Sequence, residues 1–91
     1  MILEQNSPNP FNPSTDIRFT LPLASAVSLR IYDDAGRVVR VLLDEPAMAA
    51  GEHALTWDGF DAGGAPVRSG IYFYELEVSG RVHTRKMVLL K

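Results

Sequence analysis

Apolar and polar residues alternate along most of this chain with a period of two. Ile17, Phe19 and Leu21 alternate with Asp16, Arg18 and Thr20, the spacing of a strand with one face buried and the other solvated. Pro22 stops that run. Val27, Leu29 and Ile31 alternate with Ser28, Arg30 and Tyr32 in a second strand, and Asp33-Asp34-Ala35-Gly36 supplies a turn. Residues 37–43 predict a third strand of ambiguous parity, since Val39, Val41 and Leu43 are apolar and so are Val38 and Leu42; a bulge, or burial on both faces, accounts for that. Residues 44–50 are expected to form a connection. Gly51 opens a fourth strand that sets His53, Leu55 and Trp57 on one face, and residues 58–66 form a turn-rich loop. The next strand, expected to be the longest, turns Tyr72, Tyr74, Leu76 and Val78 to one side and Glu75 and Glu77 to the other. Ser79-Gly80 then turns the chain into residues 81–90, the return arm of a hairpin. No window holds a helical period.

Residues 1–14 break the alternation. Asn6-Ser7-Pro8-Asn9-Pro10-Phe11-Asn12-Pro13-Ser14 is polar and proline-rich, and proline neither donates a ladder hydrogen bond nor continues a helix. This segment is expected to be a lead-in loop, with Phe11 plugging the edge of the core, and residues 15–91 to be the folded domain. Short strands with turn signals every 8–12 residues predict an all-β fold: a small immunoglobulin-like or fibronectin III-like antiparallel β-sandwich of about seven strands.

Composition narrows the options. With 91 residues the chain has room for one two-layer core and none for a separate catalytic domain. Hydrophobic residues at 46% and charged residues at 22% exclude the disorder signature. The absence of cysteine excludes disulfides, thiolate metal sites and cysteine nucleophiles. The opening Met1-Ile2-Leu3-Glu4 has neither the basic start nor the apolar stretch of a signal peptide. Charge is uneven: residues 1–80 carry five basic and eleven acidic residues, a balance of −6, whereas Arg81, Arg85, Lys86 and Lys91 give the last eleven residues +4. Such a basic tail either protects an edge strand from aggregation or is recognised by a partner. Without interleaved aromatics it does not make a nucleic-acid site.

Little in the chain suggests catalysis. His53 and His83 have no second ligand at metal spacing, no nucleophile elbow is present, and Glu75 and Glu77 lie on one solvated strand face rather than across a cleft. Gly63-Gly64 lacks the lysine of a phosphate loop. The chain is therefore expected to be no enzyme and to need no cofactor. Asp58 and Asp61, on a loop with Gly59, Gly63 and Gly64, could begin a calcium site, although aspartate and glycine there also satisfy turn geometry. Sugar stacking would need exposed rings among Tyr32, Trp57, Phe60, Tyr72 and Tyr74; the alternation places Trp57, Tyr72 and Tyr74 in the core and leaves Phe60 free.

The motifs, taken in order, resemble a known family. The run from Asn6 through Pro8-Asn9-Pro10-Phe11-Asn12-Pro13-Ser14-Thr15 to Ile17 is similar to the opening of C-terminal type A sorting domains of the type IX secretion system, and equally to the immunoglobulin-like domain of flagellar hook-capping proteins. Leu29-x-Ile31-Tyr32-Asp33-x-x-Gly36-Arg37, Gly51-x-His53, Trp57-Asp58-Gly59-x-Asp61-x-x-Gly64, Ser69-Gly70-Ile71-Tyr72-Phe73-Tyr74 and the terminal Arg85-Lys86-Met87-Val88-Leu89-Leu90-Lys91 extend the resemblance over nearly the whole chain. It implies a secretion-sorting and cell-surface attachment module of a larger bacterial protein, exported through the periplasm to the surface or medium. The implied partners are the outer-membrane secretion machinery, parent enzyme or adhesin domains, and cell-surface polysaccharide, with no nucleic acid. The signal residues it implies are Pro8, Asn9, Pro10, Gly70, Tyr72, Arg85, Lys86 and Lys91. A sorting domain ends its chain and a hook-capping spacer is embedded in one; this sequence stops within its final strand, which favours sorting. The apolar Pro46-Ala47-Met48-Ala49-Ala50 departs from the expected polar connection, either through ordinary loop variation, the simpler cause, or as a docking patch.

Overall fold

The computed structural model describes residues 2–91. Seven strands, β1 (Ile2–Leu3), β2 (Thr15–Leu21), β3 (Ser25–Asp33), β4 (Val38–Met48), β5 (Gly51–Trp57), β6 (Gly70–Val78) and β7 (Arg81–Leu89), form two antiparallel sheets, and there is no helix among the described residues. One sheet has the order β1-β2-β5 and the other β4-β3-β6-β7. The all-β immunoglobulin-like sandwich expected from the alternation is thus the observed fold.

The alternation becomes packing directly. Ile17, Phe19 and Leu21 from one sheet meet Leu29, Ile31, Tyr74, Leu76, Met87 and Leu89 from the other, all nearly inaccessible to water. Burying a large apolar side chain contributes about 1.5–3 kcal/mol, so these inward positions dominate the stability of so small a domain. Trp57 lies between Phe11 and Tyr72, with ring centroids 5.7 and 5.4 Å away and tilted or edge-on geometry, the arrangement aromatic quadrupoles prefer. The Tyr72 hydroxyl donates to the Arg68 carbonyl at 2.7 Å, four residues upstream, as in the tyrosine corner of immunoglobulin sandwiches.

Turn chemistry sets the hairpins. Ser79 and Gly80 both have positive φ, 48° and 83°, as a two-residue turn matching strand twist requires. At the β3–β4 turn, Asp33 Oδ1 accepts from the Ala35 and Arg37 amides at 3.0 and 2.9 Å. Gly59 is needed for space: a Cβ there would stand 2.8 Å from the Pro13 carbonyl oxygen.

The structure corrects the chain path at three places. Residues 44–50, expected as a connection, mostly belong to β4, which at 11 residues is longer than the nine-residue β6. Pro46 is tolerated because β4 is an edge strand and Pro46 falls where the register slips between Val27↔Glu45 and Ser25↔Met48. Two further slips, at Leu29/Arg30 and Ile31/Tyr32, resolve the parity of this strand: Val39, Leu42 and Leu43 pack against the core while Val38 and Val41 stay exposed. The apolar 46–50 segment is no free patch throughout, since Met48 also packs against the core. Finally, residues 1–14 are more than a loop. Ile2–Leu3 pair with Phe19 and Thr20, and Ser7 bridges Asp16.

Candidate functional site

The proline-rich segment runs along the outer edge of β7 and is clasped to it. The Phe11 amide donates to the Val88 carbonyl, and the Leu90 amide donates to the Phe11 carbonyl, each at 3.0 Å. Asn9 adds a side-chain acceptor to the clasp: its Oδ1 accepts from the Val88 amide at 3.0 Å. Gln5 Nε2 donates to the Lys86 carbonyl at 2.8 Å. Phe11, 2% exposed, anchors the segment by filling the gap beside Trp57. The three X-Pro bonds at Ser7-Pro8, Asn9-Pro10 and Asn12-Pro13 are cis.

Beneath the clasp lies a buried polar network. Asn6 is 2% exposed and Thr15 1%, and polar groups so buried must be paired. Asn6 Nδ2 donates to Thr15 Oγ1 at 3.0 Å and to the Pro8 carbonyl at 3.2 Å, and Thr15 Oγ1 donates to that carbonyl at 2.8 Å. The Tyr74 hydroxyl, reaching out from the core, accepts from the Asn6 amide at 2.9 Å and donates to the Glu4 carbonyl at 2.7 Å. Gln5 Nε2 closes the group on Asn6 Oδ1 at 2.6 Å. No buried side-chain nitrogen or oxygen is left without a partner among the described residues. Burial raises the Tyr74 hydroxyl above its ordinary pKa, against the opposing pull of the Asn6 amide and of Arg85. Burial likewise raises Tyr72.

The structure distributes the eight predicted signal residues over β7, its neighbour β6 and the segment along its outer edge. Pro8, Asn9 and Pro10 lie exposed along the end of β7. Gly70 and Tyr72 sit on β6 opposite Leu89 and Met87. Gly70, at φ 159°, is close to extended, with nothing within 4 Å of where a Cβ would stand. Arg85 and Lys86 are exposed on β7, Arg85 donating through Nε to the Leu3 carbonyl at 2.8 Å. The Lys91 amide donates to Ser69 Oγ at 2.9 Å.

Asp58 and Asp61 stand apart, in the loop that covers the start of β4, where the Ala62 amide donates to the Val39 carbonyl. Their carboxylates serve the loop itself. Asp58 Oδ1 pairs with Arg40 at 3.2 Å and accepts from the Phe60 amide, and Asp61 Oδ1 accepts from the Gly63 and Ala65 amides at 2.9 Å. Among the described residues no group of three or more His, Asp or Glu could hold a metal ion. Trp57, Tyr72 and Tyr74 are buried, and Phe60 is 39% exposed. His53 stacks on Phe19 and holds the β4–β5 connection through a 2.8 Å contact from Nε2 to the Ala49 carbonyl.

Individual roles for Asn6, Gln5, Thr15 and Tyr74 escaped the sequence reading. The usable signal was Tyr74 at an inward strand position, because a buried tyrosine hydroxyl needs a partner and the nearest unassigned polar residues were in the lead-in. Chemically, the clasp consists of amides and hydroxyls, with Arg85, Lys86 and Lys91 as cations at the surface. It offers shape and charge for recognition.

The FlgD Ig-like domain profile matches residues 10–81. No curated protein matches the chain. Among solved structures, FlgD from Xanthomonas campestris, whose structure is described as giving insights into the hook capping essential for flagellar assembly, superposes with a TM-score of 0.66 at 26% identity over 96% of this chain and 63% of that one. Dimeric latent PorU from Porphyromonas gingivalis gives a TM-score of 0.76 at 22% identity over 97% of this chain and 9% of that one. PorZ of the same organism, an essential bacterial surface component of the type-IX secretion system, gives 0.66 at 20% identity over 96% and 11%. The chain spans less than two thirds of each of these proteins, and the two P. gingivalis likenesses are of fold alone.

Proposed function

We propose that this chain, which belongs to the FlgD Ig-like domain family, is a non-catalytic sorting and surface-attachment module of a larger exported bacterial protein, read by outer-membrane secretion machinery. The observation that carries this reading is the clasp. Two motif groups, around Asn9 and around Val88 and 79 residues apart in sequence, are joined by the 3.0 Å Asn9–Val88 bond. A receptor can read a surface joined in this way only when the module is folded, which suits a signal that certifies folding before export. The exposed elements of that surface are Pro8, Asn9, Pro10, Arg85, Lys86 and Lys91; Gly70 and Tyr72 act from below it, on the neighbouring strand. A second reading, an immunoglobulin-like structural spacer of hook-capping type, is favoured by the family match over residues 10–81.

The test is a fusion of residues 1–91 to the C-terminus of a periplasm-directed fluorescent reporter in a bacterium with type IX export. Deleting the tail would remove Met87 and Leu89 from the core, so the control instead carries Asn9→Ala, Arg85→Ala, Lys86→Ala and Lys91→Ala, with its folding verified by circular dichroism. Reporter at the surface or in the medium only with the unsubstituted module is the expected outcome. Periplasmic retention of both fusions sinks the sorting reading and moves the spacer ahead; equal export of both removes these residues from the signal.

A further inference from the structure

The clasp fixes which way the backbone of β7 faces. Val88 N–H and C=O, the Lys86 carbonyl and the Leu90 amide all point away from β6, toward the proline-rich segment. Backbone groups alternate along a strand, so the N–H and C=O of Val82 and Thr84, and the Lys86 N–H, point the same way. Among the described residues no segment pairs with them. Residues 81–86 are all exposed. The ladder from Gly70↔Leu89 to Val78↔Arg81 runs without a register shift, so this free edge carries no bulge.

The opposite edge of the same sheet is built differently. β4 carries three register shifts and Pro46, and the 58–66 loop covers its start, all devices that deny an edge to an added strand. The first half of β7 has only charge. Arg81, His83 and Arg85 project to one side and Val82, Thr84 and Lys86 to the other. None of Arg81, Arg85 or Lys86 is paired with a carboxylate among the described residues. Beside the edge, a groove of about 380 Å³ is lined by Ile2, Leu3, His83, Thr84 and Arg85.

We infer that residues 81–86 of β7 are a strand-addition site for an extended, acidic segment of a partner protein. Backbone pairing to Val82 and Thr84 supplies the affinity, as in other strand-addition complexes. Alternate Asp or Glu side chains opposite Arg81 and Arg85 select the partner, because opposite charges across a ladder attract and like charges repel. The same repulsion excludes pairing of two β7 edges from separate copies, and the bulges and Pro46 exclude β4 of a second copy. The intervening residues of the segment, β-branched and apolar, lie beside Val82. This site does not depend on export and holds equally for a sorting module and for a spacer.

The test uses the intact 91-residue chain and two capped peptides, Thr-Glu-Val-Glu-Val-Glu-Thr and Thr-Lys-Val-Lys-Val-Lys-Thr. Affinity is measured by titration and amide exchange by NMR. The acidic peptide should slow exchange at Val82 and Thr84 at least about tenfold while leaving Val88 unchanged, and the lysine peptide should not bind. Val82→Pro removes an outward N–H but no bond to β6, so it should fold and bind the acidic peptide about tenfold more weakly. Arg81→Glu should weaken it by a similar factor. If Val82→Pro does not fold, the exchange pattern and the Arg81→Glu comparison decide. No binding at millimolar peptide, equal binding of both peptides, or binding without protection of Val82 and Thr84 overturns the proposal.

Discussion

The two halves of β7 share one unbroken ladder with β6 but differ in what lies on their outer side. From Lys86 onward the strand is closed by the proline-rich segment, with Asn9, Phe11 and Gln5 taking up its outward backbone groups. Before Lys86 the outward groups are open, and the side chains of Arg81, Val82, His83, Thr84 and Arg85 are exposed. Closure coincides with burial: Met87 and Leu89 are inaccessible, whereas every residue from Arg81 to Lys86 is exposed. An edge strand can thus be part of the core at one end and part of the solvated surface at the other, and the change follows from how far the covering segment reaches.

Removing the anchor should have the largest effect. Phe11→Ala takes a buried ring from beside Trp57 and is expected to cost about 3–5 kcal/mol. If the segment is held chiefly by that ring, hydrogen exchange at Val88 and Leu90 will rise toward that of Val82 and Thr84, erasing the contrast between the halves. Asn6→Ala comes next, at about 2–3 kcal/mol by urea unfolding, because it strips Thr15 and the Pro8 carbonyl of a buried donor. Tyr74→Phe should cost about 1–2 kcal/mol, leaving the Asn6 amide and the Glu4 carbonyl short of a partner.

Tyr74→Phe also tests the pH response. Burial raises the folded pKa of Tyr74 above its unfolded value of 10.0. The folded state therefore holds its proton more tightly, and the stability this contributes is complete below pH 10 and lost as pH rises through the folded pKa. Wild-type stability should fall above pH 10, and the fall should be shallower in the variant, with Tyr72 and Tyr32, both also raised by burial, supplying the remainder. The smallest effect should be that of Arg81→Ala, within about 0.5 kcal/mol of wild type. A larger loss would mean that the open half carries a fold interaction after all.

Much of this arrangement was legible from short stretches of sequence. The inward set Ile17, Phe19, Leu21, Leu29, Ile31, Tyr72, Tyr74 and Leu76 follows from period-two alternation, which depends only on neighbouring residues. The turns at 33–36 and 79–80 follow from Asp and Gly for the same reason. The end of β4 was hidden because Pro46 and its acidic neighbours carry a loop signature, and only an edge position with a register slip makes them compatible with a strand. The predicted signal residues rest on motif resemblance alone, while the polar residues buried beside them were given no roles of their own.

By itself the sequence determined the fold class, the two faces of most strands, most turns and the concentration of positive charge after Gly80. All are local properties, fixed by side-chain alternation, backbone preference and a count of charges. Tertiary structure alone decided that Asn6 would meet Tyr74 and that Asn9 would stand in for a backbone acceptor at Val88. It also decided that the same basic strand would be closed after Lys86 and open before it. Those outcomes depend on where two distant segments cross, and hydrogen-bond satisfaction of a buried group is set by whatever the fold brings beside it.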